Sequence, residues 1–479
     1  MNELTADLPA LIARRRPTIV VIGDAILDEW LSGNANRLCR EAPAPVVDVD
    51  RRTVAPGGAA NTAVNLAALG ADVRLVSAVG DDQAGTELIA ALAEAGVRTD
   101  AVRVERGRTV AKRRIVAADQ VLLRVDDGEP HPAPVADLAA LVSGCDAVVL
   151  CDYRSGPADR RLLDALSPLR KDIPLLVVDA HRPDRWPGLR PDLVTPNAAE
   201  AGALLDRPAP DGPERADFFA AHRDRLREAT GADTVAVTLD RDGAVLLTPG
   251  EPPYRTWAEP APESRTAGAG DTFCAALTLA RCCGLSPALA VELAQAAADV
   301  VVHRPGTAVC TVGALTERLA GFQGTALDSG ALSAVVAEHR GAGRRIVFTN
   351  GCFDVLHRGH IAYLNQAKAL GDVLVVALNS DASVSRLKGS DRPVNPATDR
   401  AAVLAALSCV DHVTVFDEDT PSRLLRLLRP DIYAKGGDYS PGMLAETEVV
   451  GEYGGQVRIL DYVADHSTSA VIDRIRGAV

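Results

Sequence analysis

The chain has 479 residues, of which 47% are hydrophobic and 4% aromatic, enough apolar material for two or three domains with full cores. Its formal charge of −13 would repel a phosphate backbone, and so few aromatic side chains leave little for bases to stack on, so we expect no nucleic-acid partner. The nine cysteines form no C-x-x-C pair, and no apolar run approaches the ~20 residues of a membrane span, so we expect a cytoplasmic protein with no membrane partner.

The first 320 residues alternate short apolar runs with helical patterns. This alternation is typical of a mostly parallel sheet covered by helices. Four runs with polar alternation predict a small β-lid on this α/β core, at residues 46–49, 102–104, 111–116 and 121–125. The core strands are predicted at residues 18–22, 73–78, 147–151, 175–179, 193–195 and 234–238, with helices at 59–69, 86–95 and 287–302.

A glycine-rich stretch separates this part from a second α/β pattern. We predict a first domain over residues 1–320, a linker over 321–343 that holds one helix at 330–339, and a second domain over 344–479. The second domain should contain a smaller parallel sheet. Its strands are predicted at residues 345–349, 373–378, 412–416 and 432–435, with helices at 361–370 and 398–406.

Lysine is rare in this chain, and its positions are informative. Only five of the 51 basic residues are lysine. A chain that uses arginine elsewhere is expected to keep lysine where a compact ammonium group is needed. The five are Lys112, Lys171, Lys368, Lys388 and Lys435.

The segment Gly268-Ala269-Gly270-Asp271 opens an apolar helix. Small residues at a helix start leave N–H groups free to face an anion, and the aspartate then lies beside that anion hole. Phosphoryl transfer to a hydroxyl group needs this arrangement, because the hole steadies the charge and the carboxylate takes the proton. A glycine turn with a capping aspartate is the alternative interpretation.

Three further segments supply polar groups in the same domain. Two carboxylates follow the first strand, a Gly-Gly turn opens a helix with an amide one turn in, and Thr195-Pro196-Asn197-Ala198-Ala199-Glu200 follows another strand. In this order and spacing the segments resemble the pfkB family of ribokinase-like sugar kinases. The resemblance implies that Asp271 is the catalytic base, that Asn197, Ala198, Ala199 and Glu200 belong to the ATP and Mg²⁺ site with Asn197 and Glu200 near the metal, and that the sugar is bound by Asp24, Asp28, Gly57, Gly58, Asn61 and Lys112.

Some positions depart from that family's pattern. The family usually has threonine where Ala267 stands and an acidic residue near Arg265, and related members have Asp-Pro-Lys where this chain has Asp179-Ala180-His181. These differences affect the expected contacts with the ATP phosphates. A kinase-like half that binds ligands without turnover is therefore a rival hypothesis.

The second domain carries His357-Arg358-Gly359-His360 between a predicted strand and a predicted helix. Gly359 lets the backbone approach a phosphate, and the helix N-terminus attracts its charge. Two histidines on this turn can then stabilise charge at the reacting phosphorus. Zinc binding is the competing hypothesis, but no third ligand is placed nearby.

With the preceding Gly351-Cys352-Phe353-Asp354, this segment resembles the cytidylyltransferase-like nucleotidyltransferases, which implies a Rossmann-like fold for the second domain. The resemblance implies catalytic roles for His357 and His360. It also implies contacts with nucleotide or phosphate for Gly351, Cys352, Phe353, Asp354, Asp381, Lys388, Arg392, Arg400, Lys435, Gly436, Ser467, Thr468 and Ser469. Strict cytidylyltransferases have an Arg-Thr pair before the last three, and its absence favours ATP over CTP.

The order of the two halves resembles a family of bifunctional heptose enzymes, in which heptose 7-phosphate kinase is fused to heptose 1-phosphate adenylyltransferase. The resemblance implies phosphorylation of the anomeric hydroxyl, followed by transfer of AMP from ATP to the sugar 1-phosphate. It implies ATP and Mg²⁺ as cofactors, a phosphosugar substrate and a homodimer paired through lid strands. Action on a different sugar phosphate is the nearest rival hypothesis, and a nucleic-acid-binding regulator conflicts with the charge of −13.

Overall fold

The structure is a computed structural model that describes residues 4–118, 120–153, 160–212, 214–259, 267–304, 306–323, 326–436 and 446–460. The chain divides into two compact units, Met1–Leu319 and Ala320–Val479. All nine cysteines are free thiols. In the ranges described, no helix is both long and apolar enough to cross a bilayer.

The first unit is built on a nine-stranded sheet in the order β13-β12-β11-β10-β9-β8-β1-β4-β5. Its strands run parallel except at β12, which is antiparallel to both neighbours. The sheet strands are β1 (Thr18–Gly23), β4 (Asp72–Gly80), β5 (Arg98–Glu105), β8 (Ala147–Asp152), β9 (Leu176–Ala180), β10 (Leu193–Val194), β11 (Thr234–Thr238), β12 (Ala244–Leu247) and β13 (Tyr254–Thr256).

Alternate residues of each central strand enter two different cores, one on each face of this sheet. Ile19 and Val21 pack in one core, whereas Val20 and Ile22 pack in the other. The period of two follows from the strand pleat, and it makes the strands apolar throughout. The helices that cover them are α1 (Leu8–Arg15), α2 (Ala59–Ala68), α3 (Gln83–Glu94), α4 (Leu138–Val142), α5 (Arg160–Leu166), α6 (Ala198–Leu204), α7 (Glu214–Ala221), α8 (Arg223–Thr230), α9 (Ala269–Cys282), α10 (Pro287–Val302) and α11 (Val312–Gln323).

A separate four-stranded sheet forms the lid, in the order β3-β2-β6-β7. It consists of β2 (Ala25–Leu38), β3 (Pro45–Gly58), β6 (Ala111–Ala117) and β7 (Gln120–Asp127). The sequence predicted the lid, but two details were wrong. Residues 102–104 lie in β5 of the main sheet, and the stretch from Ala25 is a 14-residue lid strand that the sequence analysis had not recognised.

Strand β2 is regular at its start and irregular farther out. From Ala25 to Ser32 each residue has one partner on β3, whereas the register shifts between Ser32 and Gly33 and again between Asn34 and Arg37. Asp28 and Glu29 fall in the regular part, so they point to opposite faces of the lid.

The second unit contains a parallel sheet of five strands in the order β16-β15-β14-β17-β18. Helix α12 buries Leu332 and Val336 in the same core as Ile346 and Phe348 of the sheet. The strands are β14 (Ile346–Gly351), β15 (Val373–Asn379), β16 (His412–Phe416), β17 (Ile432–Gly436) and β18 (Gln456–Leu460). The helices are α12 (Ser329–Gly341), α13 (Arg358–Lys368), α14 (Asp381–Lys388), α15 (Ala397–Ala405), α16 (Ser422–Leu428) and α17 (Glu446–Gly451).

Candidate active sites

In the first unit, the predicted anion hole lies at the start of α9. Gly268 precedes this helix with a φ of 82°, and a Cβ atom there would lie 2.7 Å from the amide nitrogen of Asn61. Only glycine fits, because the left-handed backbone and the close approach both disfavour a side chain. The N–H groups of Ala269 and Gly270 belong to the first helical turn, where they have no acceptor within the helix and the dipole is positive.

Asp271 is the third residue of α9, and both of its carboxylate oxygens have partners. Asn61 Nδ2 donates to Oδ2 over 2.8 Å, and the Tyr153 hydroxyl lies 3.0 Å from Oδ1. Burial raises the pKa of Asp271 to about 6, although the bonds from Asn61 and Tyr153 lower it; the charge of Asp28 raises it and that of Lys112 lowers it. A carboxyl group with this pKa is ionised near neutral pH and can still accept a proton, as a general base must.

The sugar-binding residues predicted from the sequence surround Asp271, but several hold one another in place. Asp24 Oδ2 accepts the backbone N–H of Tyr153 over 2.9 Å. Asp28 accepts from Arg114 over 2.8 Å and from the Thr307 hydroxyl over 3.1 Å. A Cβ atom on Gly57 would lie 2.8 Å from Asp28 Oδ2, and one on Gly58, whose φ is 58°, would lie 2.8 Å from the carbonyl oxygen of Asp24.

Lid residues also reach this site. Lys112 and Arg114 alternate along β6 and are paired in register with Asp28 and Trp30 of β2, so the four side chains share one face of the lid. The Arg114 guanidinium lies 4.8 Å from the centre of the Trp30 ring. The buried Nε1 of Trp30 has no hydrogen-bond partner within the described ranges, which leaves one donor available on this face.

The predicted metal and ATP segment begins α6 as a capping box. Asn197 Oδ1 accepts the N–H of Glu200 over 2.9 Å, and Glu200 Oε2 accepts the N–H of Asn197 over 2.9 Å, so each residue caps the other. Glu200 Oε1 lies 2.6 Å from His181 Nδ1, and this bond raises the pKa of His181. His181 stands where related members have the lysine of Asp-Pro-Lys. In the part of the chain that is described, no cluster of three or more His, Cys, Asp or Glu side chains could hold a metal ion.

The sequence did not predict Tyr153 as a site residue, and it indicated Asp179 only as part of the segment that departs from the family pattern. Tyr153 directly follows β8, and Asp179 lies near the end of β9. The Tyr153 hydroxyl lies 2.6 Å from Asp179 Oδ2 as well as 3.0 Å from Asp271. Because β1, β8, β9 and β10 are parallel, their carboxyl ends meet at one edge, and polar residues at all these ends could have been predicted to share a site.

In the second unit, β14 leads into a loop and then into α13, as predicted. His357 occupies the N-cap position of α13, and its ring stacks on that of His360, with ring centroids 3.9 Å apart. Burial, and then the neighbouring His357, lower the pKa of His360 to about 4, so its imidazole is neutral at physiological pH. The buried Nδ1 of His360 has no hydrogen-bond partner among the residues described. A neutral donor is thus held at the N-terminus of a helix.

Two of the predicted phosphate contacts are occupied by internal bonds. Asp354 forms an ion pair with Arg392, and its Oδ1 accepts the N–H groups of Val394 over 2.7 Å and Asn395 over 3.1 Å. These bonds offset the burial of Asp354, which alone would raise its pKa, and the net pKa is lowered. Asp354 therefore anchors the loop around Arg392.

Arg400 is buried, and its guanidinium donates to the backbone of three segments. Its carbonyl acceptors are Cys352 at 2.5 Å, Asn379 at 3.0 Å and Asn395 at 2.8 Å, and it pairs with Asp381 over 2.6 Å. A guanidinium group has five donors in a fixed fork. With four bonds made inside the protein, Arg400 holds the loops of the site together.

The remaining transferase residues approach the same loop. Burial raises the pKa of Cys352, the charges of Lys388, Arg400 and Lys435 lower it, and that of Asp354 raises it. Lys435 Nζ donates to Asn350 Oδ1 over 3.0 Å, and its burial lowers its pKa. A Cβ atom on Gly351 would lie 2.9 Å from the Phe353 ring, and one on Gly436 would lie 3.0 Å from the Tyr363 ring. Arg265, Ser467, Thr468 and Ser469 lie outside the described residues.

Family models match both units. The model for pfkB family carbohydrate kinases matches residues 16–312, and the cytidylyltransferase-like model matches residues 348–471. Among solved structures, the first unit is similar to Arabidopsis thaliana ribokinase complexed with ribose and ATP, with 24% identity and a TM-score of 0.52 over 63% of this chain and 98% of that one. It is also similar to phosphofructokinase-2 from Escherichia coli, with 20% identity and a TM-score of 0.53 over 64% and 99%. At these identities the likeness shows the fold, and the predicted ribokinase-like class is confirmed.

Curated relatives extend over both units together. The bifunctional protein HldE of Azotobacter vinelandii is 39% identical over 468 residues, which cover 96% of this chain and 98% of that protein. The protein of the same name from Alkalilimnicola ehrlichii is 41% identical over 472 residues, covering 96% and 97%. These matches therefore extend across both units of this chain.

Proposed function

This chain belongs to the HldE family of bifunctional proteins, with a pfkB family kinase unit before a cytidylyltransferase-like unit, and from this we propose how its two sites act on a heptose phosphate. It is a bifunctional kinase and nucleotidyltransferase of ADP-heptose biosynthesis. The kinase phosphorylates heptose 7-phosphate at the anomeric hydroxyl. The second unit transfers AMP from ATP to heptose 1-phosphate and releases pyrophosphate.

We propose that Asp271 is the base of the kinase step. It accepts the anomeric hydroxyl proton while the hydroxyl oxygen bonds to the γ-phosphorus of ATP and the bond to the β-phosphate oxygen breaks, giving ADP. The first-turn N–H groups of α9 stabilise the charge on the moving phosphoryl group. The observation that carries this proposal is the placement of a carboxylate with a pKa of about 6 in the first turn after Gly268.

ATP and Mg²⁺ are proposed ligands of this site. Glu200 uses one lone pair on each oxygen for Asn197 and His181, and a carboxylate offers about four acceptor positions in all. Glu200 therefore fits a Mg²⁺ ion that takes its other ligands from ATP phosphates and water, as Mg²⁺ commonly does. A bound Mg²⁺ neutralises phosphate charge during the transfer. Asn197, whose side chain caps α6 and accepts the Glu200 N–H, would adjoin such an ion.

We propose that the site-facing side of the lid binds the heptose phosphate. Lys112 and Arg114 supply positive charge, and Asp28 and the Trp30 N–H offer an acceptor and a donor for hydroxyl groups. The charge of Lys112 already acts on Asp271, which supports a position close to the reacting end. Replacing Lys112 by alanine should raise KM for heptose 7-phosphate more than KM for ATP.

In the second unit, no protein nucleophile is needed, because the sugar phosphate itself attacks the α-phosphorus of ATP. His357 and His360 lie at the N-terminus of α13, where a neutral imidazole can donate to the α-phosphate oxygens. Lys388 and Lys435 supply charge for the leaving pyrophosphate. Positioning and charge stabilisation carry such a reaction.

The product of the kinase, heptose 1,7-bisphosphate, has two phosphates, whereas the substrate of the transferase, heptose 1-phosphate, has one. A separate phosphatase must therefore act between the two steps.

Two experiments test this function. Mass spectrometry of products from ATP and heptose 7-phosphate should detect heptose 1,7-bisphosphate, and products from ATP and heptose 1-phosphate should include ADP-heptose. Failure of the first reaction with success of the second would identify the kinase unit as a binding module. In the second reaction, kcat/KM should be higher with ATP than with CTP, and preference for CTP would contradict the proposal.

A homodimer is the proposed assembly. Leu123 and Val125 of the lid edge strand β7 pair with Ile115 and Arg113 of β6, so they share one face, and each is at least 40% exposed. A second copy would cover them. Light scattering should give twice the chain mass, and Leu123→Lys should reduce it to one chain mass. A wild-type monomer would refute the dimer.

The cytoplasmic location remains a prediction.

A further inference from the structure

The hydroxyl group of Tyr153 lies between two carboxyl groups that face it from different elements. It is 2.6 Å from Asp179 Oδ2 on β9 and 3.0 Å from Asp271 Oδ1 on α9. A phenol has one hydrogen atom, so it can donate to only one of these oxygens. At the other contact the phenol oxygen must accept, and that carboxyl group must therefore carry a proton. Burial raises the pKa of Tyr153 well above its ordinary value, which keeps the phenol protonated.

The surroundings decide which carboxyl group carries the proton. Asp271 accepts an N–H from Asn61 and is close enough to Lys112 to be influenced by its charge, and both stabilise its ionised form, although Asp28 opposes this. Asp179 accepts a hydroxyl bond from Thr195 over 3.0 Å, and its charge helps to raise the pKa of His181, which bonds to Glu200. Burial, and then the charge of Asp271, raise the pKa of Asp179 to about 7, with a further contribution from Glu200.

We propose that Tyr153 and Asp179 are positioning residues of the kinase, in which a protonated Asp179 directs the hydroxyl hydrogen of Tyr153 onto Asp271. This inference rests on the proposed role of Asp271 as the base. The hydrogen bonds then point one way, from Asp179 Oδ2 to the Tyr153 oxygen and from Tyr153 to Asp271 Oδ1. No proton needs to move along them during phosphoryl transfer, because the substrate proton goes to Asp271. Their effect is to hold the base in its ionised form and in one orientation.

In this proposal Asp179 acts as a neutral hydrogen-bond donor. Variants at position 179 that keep or lose a donor therefore distinguish this role from a purely structural one. Asn at this position keeps an N–H group that can donate to the Tyr153 oxygen, whereas Ala does not. In Tyr153→Phe the aromatic ring that packs edge-on against His181, with centroids 5.3 Å apart, is retained and only the hydroxyl is lost. Because the pKa of Asp179 is the higher of the two, Asp179 stays protonated through the acid limb, which reports the titration of Asp271.

The test is the pH dependence of kinase kcat in the full chain, measured as ADP release with ATP and heptose 7-phosphate between pH 5 and 9. Tyr153→Phe should lower kcat about tenfold at pH 7, as expected for one lost hydrogen bond to a charged group. It should also move the acid limb to higher pH, because Asp271 loses a donor. Asp179→Ala should lower kcat to a similar extent. Asp179→Asn should recover most of that loss and leave the acid limb near its wild-type position, because Asn is uncharged like the protonated carboxyl group it replaces.

The outcomes separate this proposal from the one on which it rests. If Asp179→Asn is as slow as Asp179→Ala, an ionised Asp179 is required and the proposal is wrong. An unchanged acid limb in Tyr153→Phe also overturns it. If Asp271→Asn keeps wild-type kinase activity, the proposed base itself is wrong. Thermal unfolding of each variant, with adenylyl transfer measured on the same sample, identifies losses that come from misfolding, and Tyr153→Phe then decides the question when an alanine variant fails to fold.

Discussion

Asp271 in the first unit and His360 in the second occupy the same helical position. Each is the third residue of its helix and follows a glycine, Gly270 in α9 and Gly359 in α13. Burial raises the pKa of the carboxyl group to about 6 and lowers that of the imidazole to about 4. Both shifts favour the neutral form. The positive end of the helix opposes the shift for an anion and adds to it for a cation.

This difference matches the two reactions. The kinase requires a group that can be ionised and then take a proton, and the partners Asn61 and Tyr153 keep Asp271 from becoming a permanently neutral acid. The transferase requires donors to a phosphate whose negative charge increases, and no proton has to be removed by the protein. The same backbone feature thus supports a base in one unit and a neutral donor in the other.

The sharpest test of the comparison is Asp271→Asn. Asn keeps the shape of the side chain but cannot accept the proton, so kinase kcat should fall by about 10²–10⁴. Adenylyl transfer from supplied heptose 1-phosphate should stay within twofold of wild type. Asp224→Asn, which changes a largely exposed carboxylate on α8, is the matched control and should leave both rates unchanged. Kinase activity within twofold of wild type in Asp271→Asn would refute the assignment.

His360→Ala tests the other half of the comparison. Loss of one donor to developing charge typically costs roughly 10²–10³ in rate, so kcat of adenylyl transfer should fall by about that factor. KM for ATP should change less, because the donor matters more in the transition state. Kinase turnover on the same sample is the control. A variant that loses ATP affinity at unchanged kcat would show that His360 acts on the bound ground state.

The pH profiles should differ between the two activities. Kinase kcat should fall as the pH drops through about 6, by up to tenfold per pH unit below it, because Asp271 becomes protonated. Adenylyl transfer should show no limb from His360 above pH 5, because an imidazole with a pKa of about 4 is already neutral there. Coinciding acid limbs for the two activities would show that one group titrates in both, or that the pKa of His360 is not lowered as described.

We expect the second unit to fold and to catalyse adenylyl transfer without the first unit. A fragment from residue 326 should keep adenylyl transfer within threefold of the full chain, since it retains α12 with the buried Leu332 and Val336. A fragment from residue 340 loses both, and its free energy of unfolding should be lower by about 3–6 kcal/mol, from roughly 1.5–3 kcal/mol for each side chain. Urea unfolding of the two fragments measures this. Equal stability would place the domain boundary nearer residue 340, as the sequence predicted.

Local motifs explain what could be predicted from the sequence. Asp271 and the histidine pair each lie in one short segment whose glycine, helix start and charged group are adjacent in the chain, and the β-α alternation indicated both sheets. Tyr153 and Asp179 could not be recognised in this way, because each is meaningful only through contacts with a residue far along the chain.

For Asp354 and Arg400, the sequence identified residues of the site but not the contacts that they make. Their residue types suit phosphate chemistry or its support, but the chain places them under neighbouring loops, where they bond to backbone groups. A motif indicates that a residue belongs to a site. Whether it faces the ligand or holds the site together depends on the packing of several loops, which one short segment does not determine.

The register of β2 determines where residues can be inserted into or deleted from the lid. Asp28 points into the kinase site and the next residue, Glu29, pairs with Arg52 and Arg113 on the opposite face of the lid. One inserted or deleted residue between Gly23 and Asp28 would exchange these two carboxylates. Beyond Ser32 the strand already contains register shifts, so added residues can be absorbed there. Length variation in this lid should therefore be confined to its outer half, and the inner half should vary only by substitution.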